Sequence, residues 1–425
     1  MARSIFRMKT TGRIATLALS FAAATLVADG RQEFEVYGWF SLPDEHVSLE
    51  RYREAREAGF TSLMQCAGVE KMLKYLDWAQ AAGIKLGVQH TMMLTNPEPV
   101  VEKLKHHPAV RLWHLKDEPH IDQYPMLADI AKRVKKVDPG PERPVYVNMN
   151  PIGTEYANIM RYMGTTNYVE YLERAVDEIG LPFLSVDHYP CRVVPPSKDW
   201  PFIMPTGPWY VSTNWYENLE IASDICRRKD IPLSLFALST SFTCVKYDHP
   251  VPSEATLRLE VYSALAYGAR SIQYFTYYSP SPEAKPLRFH DGCISRDGRR
   301  GLAYDKVKRM NRELHARADG RFTDAKLVSV AHTEPVPART RRLGKLPDFV
   351  TRLSAEGALV SHLKRDGEEI LMVVNRDPVR LMRLEVAFVP GVKRVLEDGT
   401  VEDAARYGEV YRLDPGYAEI FVMAR

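Results

Sequence analysis

The 425-residue sequence contains only five cysteines, and their spacing argues against a metal site built on thiols. Cys66, Cys191, Cys226, Cys244 and Cys293 lie far apart, and no two of them form a Cys-x-x-Cys pair. Structural zinc sites use such close pairs. Cys66 and Cys226 stand among apolar residues, and we predict that both are small core residues. In an exported protein the odd number would leave at least one thiol free.

Three further features are missing. After the first thirty residues no stretch approaches 18 consecutive apolar residues, so no membrane span is expected in the mature protein. The net charge is only +3 and the Lys and Arg residues are scattered, which gives no support to nucleic-acid binding. No Gly-x-Gly-x-x-Gly follows the first strand-like run, which argues against a doubly wound dinucleotide-binding sheet.

The first thirty residues have the composition of a secretory signal. A basic start is followed by an apolar run, Ile14–Val27, and then by the small residue Ala28. This order of charge and hydrophobicity is typical of a cleaved export signal, and the run is short for a membrane span. We therefore predict a signal peptide over residues 1–29 and an exported protein, periplasmic or extracellular.

From residue 34 to about 279 one pattern repeats eight times: an amphipathic stretch leads into a short apolar run that ends in polar or aromatic residues. Continuous apolar runs suit strands buried on both faces, and helices between them suit parallel crossover connections. The sequence therefore predicts an α/β protein, a (β/α)8 TIM barrel over residues 30–318. The eight runs are Glu35–Phe40, Thr61–Cys66, Lys85–His90, Val110–Leu115, Val145–Asn148, Phe183–Asp187, Leu233–Leu238 and Ser271–Tyr277.

Local signals agree with this pattern. Gly59 and Gly83 each follow a helix-like stretch at the point where the helix must end before the next strand. Ser48 precedes another such stretch and suits an N-cap. Beyond the last barrel helix, short alternating runs separated by turn signals such as Arg365-Asp-Gly predict a small antiparallel β-sandwich domain over residues 319–425. We expect this domain to brace the barrel.

Active sites of TIM barrels lie at the C-terminal ends of the strands, so functional residues are expected at the end of each run. The ends of the eight runs contain carboxylates, imidazoles, amides and aromatic rings, which the barrel would bring together at one mouth. The first run, for example, ends in the aromatic segment Tyr37-Gly-Trp39-Phe40. Sugars need this mixture, because their apolar ring faces stack on aromatics while their hydroxyls require dense hydrogen bonding. We therefore expect a carbohydrate substrate. Its predicted binding residues are Tyr37, Trp39, His90, Asp117, Asn148, Asn150, His188, Tyr189, Tyr274 and Tyr277.

The fourth run closes in Lys116-Asp117-Glu118-Pro119. Here the sequence resembles clan A glycoside hydrolases, whose general acid/base is a glutamate at the end of strand four, usually within Asn-Glu-Pro. The resemblance implies that role for Glu118. Asp117 departs from the usual asparagine, which in the clan hydrogen-bonds the sugar 2-hydroxyl.

A closer resemblance covers nearly the whole mature chain. It is to bacterial, polysaccharide-utilisation-type glycosyl hydrolases described as beta-galactosidase-like. The shared segments are the His-Leu-Lys-Asp-Glu-Pro run at His114–Pro119, the Asp-His-Tyr-Pro run at Asp187–Pro190, and Leu265–Ala269 leading into Tyr274–Tyr277. The order of these segments on successive strands makes the resemblance more specific than any one of them.

The seventh run lacks a residue that the resemblance requires. Retaining clan A enzymes carry their nucleophilic glutamate there, whereas this chain has Ser239-Thr240-Ser241. Two hypotheses remain: Asp248 or Glu254 folds back as the nucleophile, or Asp187 is the second catalytic carboxylate. Strands four and six would stand roughly 9–10 Å apart, and carboxyl groups about 5 Å apart would suit retention, about 9 Å inversion. We predict Asp187, and the stereochemistry stays open.

Other functions are also compatible with the sequence. A catalytically silent glycan-binding barrel would explain the missing strand-seven glutamate. A polysaccharide lyase or a metal-dependent hydrolase is a further alternative. His90, His114 and His188 could bind a metal, but they stand on separate strands without a recognisable ligand spacing. We expect no metal and no cofactor, and the oligomeric state is not predicted.

Overall fold

A computed structural model describes residues 32–153, 156–193, 209–243, 248–281, 287–290 and 292–424. The predicted signal segment and Cys244 lie outside these residues. Eight parallel strands close into a barrel, in the order β1-β12-β9-β6-β5-β4-β3-β2, which confirms the predicted fold class. Strands are numbered along the chain, and those of the barrel are β1 (Glu35–Gly38), β2 (Ser62–Cys66), β3 (Lys85–Gln89), β4 (Val110–Asp117), β5 (Val145–Met149), β6 (Leu184–Val186), β9 (Leu233–Leu238) and β12 (Ala269–Phe275).

Helices connect the barrel strands and cover their outer faces. Ser48 caps the first helix, since its side chain accepts a hydrogen bond from the Arg51 amide. Gly59 and Gly83 end two helices at φ values of 82° and 72°, a left-handed conformation that glycine adopts without strain. The helices are α1 (Leu49–Glu57), α2 (Val69–Ala81), α3 (Glu98–Leu104), α4 (Tyr124–Val137), α5 (Tyr156–Met163), α6 (Tyr168–Arg174, continued by a π-helical turn Ala175–Gly180), α7 (Trp215–Lys229), α8 (Glu254–Ala266) and α9 (Tyr304–Ala318).

A small antiparallel sheet at the C-terminal ends of the barrel strands was not predicted from the sequence. It is assembled from the connections that follow β6, β9 and β12, in the order β13-β10-β11-β7-β8. These strands are two or three residues long, too short to leave a periodic signal. They are β7 (Cys191–Val193), β8 (Trp209–Val211), β10 (Phe242–Thr243), β11 (Asp248–His249) and β13 (Arg288–Phe289).

The C-terminal region forms two antiparallel sheets that pack as a sandwich, as predicted. Phe421 joins them, because its ring contacts Phe388 and Tyr411 of the smaller sheet at centroid distances of 4.6 and 5.3 Å. One sheet has the order β14-β16-β17-β22-β19-β20 and the other β15-β18-β21. The strands are β14 (Lys326–His332), β15 (Val350–Ser354), β16 (Ala358–Arg365), β17 (Glu368–Asn375), β18 (Met382–Phe388), β19 (Lys393–Val395), β20 (Val401–Asp403), β21 (Val410–Leu413) and β22 (Ala418–Ala424).

A buried arginine connects the sandwich to the barrel. Arg317, near the end of α9, is fully buried and donates hydrogen bonds to the Ala418 carbonyl at 2.7 Å and to the Tyr262 hydroxyl at 2.7 Å. Its guanidinium also lies 5.0 Å from the Tyr417 ring centroid. A buried charge requires such dense pairing, so this contact holds the two parts in a defined arrangement.

Two smaller findings complete the fold. Cys226 is buried as predicted, but the prediction for Cys66 is wrong, because this residue ends β2 and its side chain is exposed at the rim of the barrel. Among the described residues, none of the helices has the length and apolar composition needed to cross a membrane.

Candidate active site

Glu118 lies immediately after β4, at the C-terminal mouth of the barrel. Its backbone adopts φ 46°, a left-handed conformation that is costly for a residue with a side chain. The Glu118 amide donates a hydrogen bond to the Asn148 carbonyl of β5 at 2.9 Å. The neighbouring strand therefore holds the strained turn in place, and the Glu118 side chain is exposed to the mouth.

An amide from β5 orients the Glu118 carboxylate. The Asn150 side-chain nitrogen, placed as its hydrogen bonding requires, lies 3.3 Å from both carboxylate oxygens. The other end of this amide contacts the Tyr171 hydroxyl at 3.2 Å, and Asn150 itself is buried. A carboxylate held by a buried side chain has the restricted geometry that catalysis requires.

The pKa of Glu118 is raised to about 7. The main cause is desolvation by the protein that surrounds the mouth, and the second is the like charge of Asp117; the charge of Lys116 acts in the opposite direction. A carboxyl with this pKa carries its proton near neutral pH, as a general acid must.

Asp117 belongs to a chain of hydrogen bonds that extends into the barrel. The Asn148 amide donates to Asp117 Oδ1 at 3.1 Å, and Ser185 Oγ donates to Asn148 Oδ1 at 2.8 Å. Ser185 Oγ in turn accepts from Gln273 Nε2 at 2.7 Å. These hydrogen bonds join β4, β5, β6 and β12, so side chains inside the barrel fix the position of Asp117.

Asp187 follows β6, and only β5 separates it from Glu118 in the barrel. Burial raises the pKa of Asp187 well above its usual range, and the charges of Glu118 and Asp117 raise it further. The structure therefore brings these three carboxyls close enough for their charges to interact, and simultaneous ionisation of all three is unfavourable. The Tyr189 hydroxyl donates to Asp187 Oδ2 at 3.5 Å, whereas Oδ1 is buried and has no hydrogen-bond partner among the described residues.

The two residues after Asp187 belong to the floor and side of the mouth. Tyr189 is half-buried and its ring packs against Phe236 and Phe275. His188 is buried, and burial together with the positive charge of Arg192 lowers its pKa to about 3, so its ring is neutral. Of these two predicted sugar-binding residues, only Tyr189 has appreciable exposed surface.

On the opposite side of the mouth, His90 follows β3. Its Nδ1 accepts a hydrogen bond from the Met92 amide at 3.1 Å, which leaves Nε2 as the donor of the neutral ring. Trp39 is 5% exposed, and its indole N–H donates to Gln273 Oε1 at 2.8 Å. Trp39 therefore forms part of the barrel interior beneath the mouth, and His90 stays half-exposed at its rim.

Three predicted sugar-binding tyrosines lie outside the mouth. Tyr37 is buried within the barrel, where burial and the charge of Glu35 raise its pKa. Tyr274 and Tyr277 are fully buried on the outer face of the barrel, and both rings pack against Phe60. A buried ring offers no face to a sugar, so the structure corrects these three assignments. Tyr37 lies too deep in the barrel to reach the mouth, whereas Tyr274 and Tyr277 face the outer layer, and the sequence positions of the three tyrosines did not show this.

The end of β9 contains hydroxyls in place of a carboxylate. Ser239 Oγ donates to the Thr276 carbonyl at 2.8 Å, and the Thr240 and Thr276 hydroxyls are 2.7 Å apart. Behind this strand end, Glu260 of α8 accepts a hydrogen bond from the Leu238 amide at 2.5 Å. Glu260 is buried, and burial raises its pKa to about 8. We did not predict Glu260, although a charged residue within the apolar stretch Leu257–Ala266 was a usable signal.

The two alternative nucleophiles, Glu254 and Asp248, lie in surroundings different from those of Glu118 and Asp187. Glu254 begins α8 and forms an exposed ion pair with Arg309 of α9, in the helical layer outside the barrel. Asp248 lies in the small sheet, where burial raises its pKa and the Thr243 hydroxyl lowers it. Within the part of the chain that the structure describes, no three His, Cys, Asp or Glu side chains are grouped as a metal site would need.

Comparisons with known proteins identify similar folds only. No protein-family model matches the chain, and no curated protein sequence matches it. A family 39 glycoside hydrolase from Bacteroides cellulosilyticus WH2 is similar at 13% identity and a TM-score of 0.49, over 94% of this chain and 82% of that one. A family 30 endoxylanase from Clostridium papyrosolvens C71 is similar at 11% identity and a TM-score of 0.46, over 93% and 97%.

A β-galactosidase from Marinomonas ef1 is also similar, at 12% identity and a TM-score of 0.47. The match covers 67% of this chain and 60% of that protein, so the chain spans well under two thirds of its length. The predicted TIM barrel is confirmed by the closed eight-stranded parallel barrel of the structure itself. At identities of 11 to 13%, these similarities assign neither catalytic residues nor a substrate to this chain.

Proposed function

We propose that this chain is a glycoside hydrolase in which Glu118 is the general acid/base. The observation that carries the proposal is the exposed Glu118 carboxyl at the mouth of the barrel, which the Asn150 side chain orients. The raised pKa of Glu118, caused mainly by desolvation and then by the charge of Asp117, supports the same role. Strain at φ 46° and two amides from β5 hold this side chain at its position. An ordinary surface glutamate has neither the raised pKa nor the support.

The proposed reaction needs one protonated and one ionised carboxyl. Glu118 donates its proton to the glycosidic oxygen as the bond between that oxygen and the anomeric carbon breaks. Asp187 supplies the second carboxylate: it either attacks the anomeric carbon or removes a proton from an attacking water. Because like charges oppose double ionisation, a proton on Glu118 favours the ionised form of Asp187. Asp187 Oδ2 accepts a long hydrogen bond from the Tyr189 hydroxyl at 3.5 Å, which orients the carboxyl for this task.

A screen for released sugar tests the proposal. Purified protein is incubated with a panel of plant and bacterial polysaccharides, and new reducing ends are measured. Glu118→Gln, purified in the same way, is the control for contaminating hydrolases, and it should release far less sugar. Equal release by the two proteins would contradict the proposal.

A second candidate is a catalytically silent glycan-binding barrel. It is favoured by the end of β9, where Ser239 and Thr240 hydrogen-bond to Thr276 and no carboxylate occupies the site of a retaining nucleophile. This candidate predicts retention of a polysaccharide by both the wild type and Glu118→Gln, with no release of sugar by either. The proposed hydrolase predicts release by the wild type.

A further inference from the structure

Phe40 combines two unfavourable features at the mouth of the barrel. It follows β1 with φ 70°, in the left-handed region that side chains rarely occupy, and its side chain is 44% exposed. Among the described residues only four non-glycine residues have positive φ, and two of them, Phe40 and Glu118, lie within two residues of the C-terminal end of a barrel strand.

The backbone on both sides of Phe40 explains its conformation. The Trp39 amide donates to the Tyr274 carbonyl at 2.9 Å, and the Trp39 carbonyl accepts from the Tyr277 amide at 2.5 Å. On the other side Leu42 is buried, and its carbonyl accepts from Gln65 Nε2 at 2.9 Å. Residue 40 must connect these two anchored segments, which requires the left-handed turn.

Folding alone does not account for a phenylalanine at this position. Glycine or asparagine would adopt the same turn at a lower cost. A large apolar ring in a strained position is ordinarily compensated by burial, but nearly half of this ring remains in solvent. Strained residues that keep an exposed chemical group cluster at ligand-binding sites.

Hydrogen-bonding groups lie at the same strand end as Phe40, beginning with the next residue in the chain. Ser41 Oγ donates to Gln89 Oε1 at 3.0 Å, and Gln89 Nε2 lies 3.3 Å from His114 Nδ1 on β4. This contact joins the β1 connection to the turn after β3, where Met92 is also exposed. An apolar ring next to hydroxyl, amide and imidazole groups is the combination that a pyranose contacts, with its C–H face on the ring and its hydroxyls on the polar groups.

We propose that Phe40, rather than the buried Tyr37 or Trp39, is the aromatic platform on which a sugar ring of the substrate stacks. The proposal rests on the proposed function for its ligand class, but it concerns binding and not turnover. Phe40 is a specificity-determining residue in this assignment and takes no part in proton transfer.

Affinity gel electrophoresis tests it with soluble xylan, mannan, galactan, arabinan and mixed-linkage β-glucan as the probes. Phe40→Gly removes the ring and keeps the turn, and should weaken retardation of the wild type's preferred polysaccharide about ten- to one-hundredfold in dissociation constant. Relief of the left-handed strain offsets the loss of the half-buried ring, so the melting temperature should stay within a few degrees. Phe40→Tyr keeps the ring and should keep most of the affinity.

Asp230→Gly is the matched control, since Asp230 has φ 50° at the end of α7 and an exposed side chain. It relieves similar strain away from the mouth and should leave retardation unchanged. Equal retardation of the wild type and Phe40→Gly, or no retardation of the wild type by any of the five polysaccharides, would overturn the proposal. Binding that depends on the Phe40 ring, without release of sugar, would support Phe40 as the platform and contradict the proposed hydrolase. Release of sugar with binding that does not depend on the ring would support the hydrolase and contradict the role of Phe40.

Discussion

Carboxyls with raised pKa occur in two places near the C-terminal ends of the barrel strands, and only one of these places faces the mouth. Asp117 ends β4, Glu118 follows it and Asp187 follows β6. The charge of Asp117 raises the pKa of Glu118, and the charges of both raise the pKa of Asp187. Glu260 lies behind the end of β9, buried, with a pKa raised to about 8 by burial. A raised pKa therefore occurs here both where a substrate can reach and where none can.

The difference shows what a raised pKa does and does not indicate. At Glu260 the carboxyl accepts a hydrogen bond from the Leu238 amide and so supports a strand end. At Glu118 the carboxyl is exposed and is supported by groups that fix its direction. A raised pKa therefore supports a catalytic role only when the carboxyl is also accessible to a substrate and held in a defined orientation.

The largest effect is expected at Asp187. Asp187→Asn should abolish turnover on every substrate, because neither attack on the anomeric carbon nor activation of water proceeds without this carboxylate. The loss is measured as kcat, and the melting temperature should change little because Oδ1 makes no hydrogen bond to the described residues. Substantial kcat in this variant would move the second carboxylate elsewhere.

Glu118→Gln should lower kcat/KM by about 10²- to 10⁴-fold on substrates with poor leaving groups. The aryl group of an activated aryl glycoside leaves without protonation, so the loss of kcat/KM on such substrates should be far smaller. The comparison of the two substrate classes is the measurement. Equal losses on both would mean that Glu118 only binds.

Asp117→Asn should shift the pH dependence of activity. Removing the negative charge lowers the pKa of Glu118, so the alkaline limb of kcat/KM should move to lower pH, by about one unit. At pH 6 about half of Glu118 would then carry its proton in the variant, compared with roughly nine tenths in the wild type. An unmoved limb would indicate that desolvation alone raises the pKa of Glu118.

Glu260→Gln should leave activity unchanged and alter the pH dependence of stability. In the wild type Glu260 stays protonated up to about pH 8, whereas in the unfolded chain it ionises near 4.5. The unfolded state therefore binds fewer protons in this window, and the free energy of unfolding falls by about 1.4 kcal/mol per pH unit from this group. Gln keeps the acceptor for the Leu238 amide and removes the slope.

Urea denaturation at pH 5 and pH 8 measures the effect of Glu260→Gln. Similar stability of the two proteins at pH 5 and a more stable variant at pH 8 are expected. An equal difference at both pH values would show that Glu260 titrates normally.

The smallest effect is expected for Glu254→Gln, which breaks an exposed ion pair with Arg309. Exposed pairs contribute about 0–1 kcal/mol, so stability and kcat should both stay close to the wild type. An inactive variant rescued by azide, with formation of a glycosyl azide, would instead identify Glu254 as the nucleophile.

The barrel itself was largely predictable. The seventh run, Leu233–Leu238, has the predicted bounds, because buried parallel strands are continuously apolar. The small sheet was missed since its strands are too short for any period. The π-helical turn Ala175–Gly180 at the end of α6 was also missed, as its composition resembles that of an α-helix.

Of the candidate site, the sequence by itself determined the polar strand ends, since TIM-barrel chemistry lies there whatever the packing. Glu118 and Asp187 were proposed in this way. Only the tertiary structure decided which side chains face the mouth. Tyr274 and Tyr277 turn outward and Tyr37 inward, Phe40 remains exposed, and Glu260 is brought behind β9 from a later helix. The reason is that side-chain direction and burial depend on strand register and on neighbours distant in the chain, and a local pattern contains neither.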